Sequence, residues 1–434
     1  MSSTRLLASA EDPTAVAAIR DVATGARTVS EIASTALARA ADVESQILAF
    51  SSLNGVSVER RAKELDAAPA GPLRGVAVGV KDVIDTADSP TGYGSPLFSG
   101  HQPAVDADVV ARLRALGAIV FGKTESTEFA MFEPTRTRNP ADVTRTPGGS
   151  SSGSAAAVAA GIVPIALGTQ TAGSVVRPGA YCGVYAFKPS KGWTSTKGVW
   201  LLAESFDTLG LFARTAADLG VVYRALRSPG FTQTSRQRPV TPSAALLRAT
   251  EWAEVHDDVL SALDEVAAHL SDSGWKVVEM RMPEEWRRLP QHHTTVMAVE
   301  VAKNMRAGLG ERVELISEKA RRIVADGDDT TAVSYLTARA AAEDALGVLP
   351  ALAETVDVIL APSALGVAPI GLANTGDPVM CRPWTLLGLP ASNVPAIRRA
   401  DGLPVGVQAV STTFDDLAFL DMLASIEAAC RERQ

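Results

Sequence analysis

Gly148-Gly149-Ser150-Ser151-Ser152-Gly153-Ser154 and Gly168-Thr169-Gln170-Thr171-Ala172-Gly173-Ser174 bracket the stretch whose reading decides the fold. Each is a Gly-rich loop that presents serine. Residues 155–161 between them read as a helix and residues 162–167 as a strand. A helix of about ten residues travels roughly 15 Å, and a strand of five or six residues roughly 17–20 Å. If the helix runs out and the strand runs back, both loops return to one end of the molecule. Ser150 and Ser174 then become neighbours, an arrangement suited to nucleophilic catalysis. Gly and Ser clusters also make linkers. These two are embedded in apolar sequence, whereas linkers are not.

Working outward, residues 75–80 form a strand that ends at Lys81-Asp82, residues 106–116 a helix and residues 118–121 the next strand. Alternation of this kind predicts an α/β fold, a mixed, twisted central sheet with helices on both faces. Residues 13–70 read as helices, with Thr28 and Glu31 as a capping box. The Pro- and Arg-rich stretch 227–242 reads as a connection. Beyond it, Val259, Leu260, Leu263, Val266, Ala267 and Leu270 make a helical stripe, and residues 275–280 a strand. Residues 284–350 are mostly helical. Residues 356–361 are a strand, 402–410 close the sheet, and a helix from about 415 to 431 ends the chain. The expectation is one domain over 1–434. It comprises N-terminal helices (13–70), a core (73–211), a helical excursion (212–350) and a C-terminal return to the core (351–434).

Composition narrows the function. The chain has 434 residues, 46% of them hydrophobic, and a net charge of −8. A large core can be buried, and no basic face points to nucleic acid. Cys182, Cys381 and Cys430 are odd in number and widely spaced, which argues against a disulfide framework and fits a cytoplasmic enzyme. The short patch Leu6-Leu7-Ala8 is too brief for a signal peptide. The apolar run 155–167, broken by Gly161 and Pro164, is too short to span a membrane.

Two short patterns mislead. Residues 117–124 match G-x-x-x-x-G-K-[ST], but the four intervening residues are themselves a strand, so Lys123 reads as an exposed lysine at a strand end. Gly149–Gly153 matches G-x-S-x-G with Ser151 at its centre, yet no strand precedes it as a nucleophile elbow needs. His101, His256, His269, His292 and His293 all lie outside the serine loops and read as surface residues. No metal-ligand motif is present, and a Ser-His-Asp triad has no obvious histidine. A serine without histidine needs another base, and Lys81 is the candidate. A lysine in water has a pKa of about 10.4, and burial at a strand end would lower it by several units. On spacing alone, an exposed Lys81 paired with Asp82 or Asp85 is the plainer reading.

These residues resemble the amidase signature family. The likeness runs from residues 148–155 through Ala159-Ala160-Gly161-Ile162-Val163-Pro164 and Leu167-Gly168-Thr169 to Ala172-Gly173-Ser174 and Arg177-Pro178. Lys81-Asp82 with Asp85, residues 117–124, Glu128-Phe129-Ala130, Asn139-Pro140 and residues 183–190, 382–390 and 402–408 are similar to its other landmarks. The match is dense from about 73 to 192 and thin from about 212 to 350. The resemblance implies Ser174 as nucleophile, Ser150 as a bridging serine after a cis Gly149–Ser150 peptide, and Lys81 as base. It implies an oxyanion hole from the N–H groups of Thr171, Ala172, Gly173 and Ser174, with no metal or organic cofactor. Three departures stand out. Ala172 replaces a usual Gly, Gln170 a common Asp, and Val176 holds the place of a usual Arg, while Arg177 follows it. Malonamidase-like members share Gln170 and the position of Arg177, where the arginine holds a substrate carboxylate through its planar fork. Arg177 paired with a structural Asp or Glu is the equally weighted alternative.

The resemblance therefore implies an amidase for a small-molecule amide, acidic or neutral. Arg177 and Gln170 are its candidate substrate-binding residues, and a homodimer is the family expectation, with no nucleic acid or membrane partner. Hydrolysis of urea-derived amides (allophanate or biuret type) and the amidase subunit of a glutamine-dependent amidotransferase are the alternatives. A noncatalytic binding scaffold is disfavoured by the retention of Lys81, Ser150 and Ser174.

Overall fold

A computed structural model describes residues 6–9, 12, 14–231 and 241–431. Most of the expected connection 227–242 lies outside the described residues. Eleven strands form one sheet: β1 (Phe50–Ser52), β2 (Ala77–Lys81), β3 (Ile119–Thr124), β4 (Ile165–Gln170), β5 (Tyr185–Lys188), β6 (Thr208–Ala213), β7 (Ser243–Leu246), β8 (Lys276–Glu279), β9 (Val358–Pro362), β10 (Ala391–Arg398) and β11 (Pro404–Ser411). Their order is β1-β3-β2-β4-β6-β5-β10-β11-β9-β7-β8. β2 runs parallel to β3 and β4, while β4–β6, β5–β6 and β10–β11 are antiparallel, so the sheet is mixed. Every residue of β2, β4, β6 and β11 is buried, as expected of strands covered by helices on both faces.

The helix between the serine loops is Ser152–Ala159, and the strand after it is β4. Both differ by about three residues from the sequence expectation. Gly161 adopts a left-handed φ of 72° and Pro164 follows, so the chain turns before it pairs. Pairing with β6 then carries the strand through Gln170. Thr28 and Glu31 make the expected capping box on the helix Val29–Ile47. Within the stretch read as helices, β1 interposes as an edge strand against β3. Three residues are too few to register as a period. Nor does β11 close the sheet: it lies between β10 and β9, because β7, which the sequence did not mark as a strand, and β8, the strand expected over 275–280, add outside β9.

The excursion supplies the helices Leu289–Leu309, Glu318–Asp329 and Ala332–Leu346. A Cβ at Gly327 would stand 2.1 Å from the carbonyl oxygen of Ala298. A helix-interior glycine costs about 1 kcal/mol relative to alanine. Here its missing side chain is what lets the first two helices approach.

Candidate active site

β2 and β4 are parallel with Val80 opposite Leu167, so their C-terminal ends lie at the same edge of the sheet, where open α/β sheets place their sites. Lys81 is the last residue of β2 and Thr169 the penultimate residue of β4. Ser150 precedes the helix Ser152–Ala159, and Ser174 precedes the helix Val176–Cys182. The Ser151 N–H meets the Ser174 carbonyl at 3.4 Å, so the two loops do return to one place. The Gly149–Ser150 peptide is cis.

Lys81 is fully buried. Its Nζ lies 2.7 Å from Ser150 Oγ, 2.7 Å from Thr169 Oγ1 and 3.4 Å from the Thr169 carbonyl oxygen. Burial holds its pKa well below the ordinary lysine value, opposed only by the distant charge of Asp207. The ion pair with Asp82 does not form. Asp82 lies 3.5 Å from Lys123 instead. Lys123 is also buried rather than exposed, and donates to Thr91 Oγ1 and the Ile84 carbonyl. The sequence reading missed this because β3 continues through Thr124 and tucks the lysine between strands. Lys81 and Lys123, both buried, thus differ: Lys123 has a carboxylate and Lys81 has hydroxyls.

The Thr169 carbonyl accepts only, and its hydroxyl oxygen has lone pairs to offer. Nζ thus has two acceptors on Thr169 for its hydrogens, beside its contact with the Ser150 hydroxyl. Thr169 touches Lys81, and sequence reasoning assigned it no role although it stood inside the quoted loop.

The loop from Thr171 to Ser174 is held by its carbonyls. His293 Nε2 lies 2.8 Å from the Thr171 oxygen, and Thr385 Oγ1 donates to the Ala172 oxygen at 2.8 Å. The Arg177 N–H donates to the Gly173 oxygen at 3.1 Å. Among the described residues the N–H groups of Ala172, Gly173 and Ser174 donate to no acceptor. Gly173 is required, since a Cβ would stand 2.9 Å from Pro378 Cβ and 3.0 Å from Cys381 Cβ. The loop tolerates Ala172, whose side chain lines the adjoining cavity.

Gln170 is turned away from that cavity. Its Oε1 accepts from the Val175 and Val176 N–H groups at 2.8 and 3.0 Å, and its Nε2 donates to Thr385 Oγ1. It braces the start of the helix Val176–Cys182, and this geometry does not carry the expectation that it binds substrate. His293 corrects another expectation: it is fully buried, not on the surface. Its helix crosses the site from the region of thin resemblance, so no local signal marked it.

The cavity beside Ser174 is lined by Thr171, Ala172, Arg177, Met131, Met297 and Ile323, among others. The space open to a water molecule's centre is about 10 Å³, room for about one water. Arg177 is 1% exposed. Its Nη2 donates to the Gly149 carbonyl at 2.7 Å, while Nε and Nη1 have no partner. No described carboxylate pairs with it, so the alternative of a structural ion pair is not realised.

A sheet with two apposed serine loops over a buried lysine defines a class of hydrolase, and comparison with known proteins agrees. The chain matches the Amidase family model over residues 31–420 and belongs to that family. It is 34% identical over 450 aligned positions to a glutamyl-tRNA(Gln) amidotransferase subunit of Roseiflexus sp. (strain RS-1), covering 91% of this chain and 92% of that one. The native peptide amidase from Stenotrophomonas maltophilia superposes with a TM-score of 0.82 at 25% identity, covering 98% of both chains. The corresponding glutamyl-tRNA(Gln) amidotransferase subunit from Thermotoga maritima gives a TM-score of 0.76 at 28% identity, covering 91% and 90%. The protein is an amide-hydrolysing enzyme. No helix among its described residues is long and apolar enough to cross a membrane.

Proposed function

We propose that the enzyme hydrolyses a small, carboxylate-bearing amide through a seryl acyl-enzyme. The observation that carries the mechanism is the 2.7 Å approach of a buried, carboxylate-free Lys81 amine to Ser150 Oγ. Neutral Lys81 takes the Ser150 proton while Ser150 takes that of Ser174. Ser174 Oγ attacks the amide carbonyl, whose oxygen becomes an oxyanion on the free N–H groups of Ala172, Gly173 and Ser174. As the C–N bond breaks, Ser150 gives a proton to the departing nitrogen and recovers one from Lys81. Water then enters, is deprotonated by the same relay and releases the carboxylate. Each donor to the oxyanion is worth roughly 3–4 kcal/mol.

Arg177 supports the acidic substrate. A fully buried guanidinium with two unpartnered nitrogens carries a large desolvation cost, which a ligand carboxylate would offset with a charge-assisted hydrogen bond. The narrow cavity, walled by Met131, Met297 and Ile323, favours a short acyl chain. The expected test is ammonia release from monoamides of short dicarboxylic acids against neutral and aryl amides, together with fluorophosphonate labelling of Ser174. An enzyme that ignores the carboxylate sinks the substrate class, and an unlabelled Ser174 sinks the mechanism.

The identity to the Roseiflexus protein supports a second reading as an amidase subunit of an amidotransferase. The closer superposition on the peptide amidase than on the Thermotoga maritima protein favours a stand-alone hydrolase. Amide turnover by the chain without partners separates the two. Ala172 in the oxyanion loop keeps urea-derived amides in the same screen. Three buried free thiols are consistent with a reducing cytoplasm, and sedimentation would test the expected homodimer.

A further inference from the structure

The Thr171–Ser174 loop has no regular secondary structure, yet its carbonyls are all tied. The Arg177 N–H holds the Gly173 oxygen, the Ser151 N–H the Ser174 oxygen and Thr385 Oγ1 the Ala172 oxygen. Thr171, the first, is held by a ring on the helix Leu289–Leu309. A trans peptide points its C=O and the following N–H in opposite directions. Fixing the Thr171 oxygen therefore fixes the opposed direction of the Ala172 N–H. A hydrogen bond to a carbonyl also polarises the N–H of the same peptide unit.

We propose that His293 is a positioning residue for catalysis: by donating from Nε2 to the Thr171 carbonyl, it aims the Ala172 N–H at the forming oxyanion. The inference rests on the acyl-enzyme reading above. A carbonyl oxygen cannot donate, so Nε2 carries the hydrogen and Nδ1 is left with a bare lone pair. Nδ1 has no partner, which is consistent with that tautomer. The ring packs on Phe206 at 4.8 Å between centroids and is completely buried, so water cannot substitute for the bond. His293, Met297 and Val301 follow one another at intervals of four residues on one helix face. The helix that walls the cavity with Met297 and Val301 thus also holds the oxyanion loop.

The test uses the full chain with His293→Phe, which keeps the ring and removes the donor, and His293→Gln, which restores an N–H donor. A fluorophosphonate forms a tetrahedral adduct on Ser174 with its oxygen in the loop, so its labelling rate reads oxyanion stabilisation without needing the natural substrate. His293→Phe is expected to slow labelling and kcat together by roughly 10- to 100-fold, short of the full loss of a donor, with KM within about twofold. His293→Gln is expected to recover most of that loss. Labelling by His293→Phe at the wild-type rate overturns the inference, and so does a loss that His293→Gln fails to reverse. If the Phe variant does not fold, His293→Leu takes its place in the comparison. A wild-type chain whose Ser174 takes no label overturns the acyl-enzyme reading and this inference with it. A chain that labels normally in every variant overturns only the role of His293.

Discussion

Arg177 Nη2 donates to the carbonyl of Gly149 at 2.7 Å, so the residue three places after Ser174 holds the peptide just before Ser150. One guanidinium nitrogen thereby ties the two serine loops to each other. The N–H groups of Nη1 and Nε are buried and unpartnered beside the cavity that Ser174 lines. A buried charge left in this state has a physical cost that packing does not remove.

Replacing that guanidinium separates its two roles. Arg177→Met should lower kcat/KM for carboxylate-bearing amides by about 100-fold or more, the loss expected when one partner of a buried charge pair is removed. Neutral amides should fall only by the smaller amount due to a looser Gly149. Arg177→Lys should not restore the acidic substrates, because an ammonium lacks the bidentate fork. Equal losses on acidic and neutral amides would show that the arginine is purely a brace.

Lys81 supplies a prediction in pH. Its folded pKa lies well below the unfolded value of about 10.4 because burial disfavours the charged amine. On the activity side, the amine must be neutral to accept the Ser150 proton. kcat/KM should therefore fall with unit slope as pH drops through the folded pKa. On the stability side, the unfolded chain binds a proton that the folded chain does not throughout the window between the folded pKa and about 10.4, so Lys81 makes stability rise with pH across it. Lys81→Met removes that term. The variant should be inactive yet melt higher than wild type at neutral pH, with the gap closing as pH approaches 10. Thermal melts at several pH values check this, and a Met variant that melts lower at neutral pH would show that the amine is stabilising.

On the proposed mechanism, Thr169 orients the Lys81 amine. Its side-chain oxygen lies 2.7 Å from Lys81 Nζ, and Thr169→Val keeps the shape while removing it. The lysine hydrogens then have only the 3.4 Å carbonyl, and the lone pair is less well aimed. We expect kcat to fall by about 10-fold or more, within the usual worth of a positioned base, with KM nearly unchanged. Thr169→Ser should retain most of the rate. A Thr169→Ser variant as slow as Thr169→Val would point to a packing role.

The sequence made the catalytic edge legible because that edge is local. Two loops flank one helix and one strand, so element lengths alone brought Ser150 and Ser174 together, even though the boundaries of the Ser152–Ala159 helix and β4 were off by about three residues. The burial of Lys81 was foreseeable only as a possibility, since a strand end at Lys81 and one at Lys123 look alike in sequence. Their fates are set by what stands opposite, Ser150 and Thr169 for one and Asp82 for the other. His293, Met297 and Ile323 were not legible at all. They reach the site from more than a hundred residues away on helices whose periodicity describes their burial but not what they face. The interior place of β11 was hidden for the same reason, since β7 and β8 pair beyond β9 only through long-range register.

Those distant helices supply the last prediction. The helices Leu289–Leu309 and Glu318–Asp329 touch through Gly327, where an added Cβ would meet the Ala298 oxygen at 2.1 Å and its carbonyl carbon at 2.6 Å. Gly327→Ala would gain about 1 kcal/mol of helix propensity, but the clash is with backbone, which cannot rotate away. Overpacking of that kind costs about 1–3 kcal/mol, so the balance should be destabilising or, at best, neutral. Ala298 adjoins Met297 and lies little more than a turn from His293 on the same helix. Relief of the clash must therefore move the cavity wall and the anchor of the Thr171 carbonyl together. The variant should show a lower melting temperature with changed substrate-length preference and slower Ser174 labelling. A variant with raised stability and unaltered labelling would mean that the two helices part without disturbing the face they present to the site.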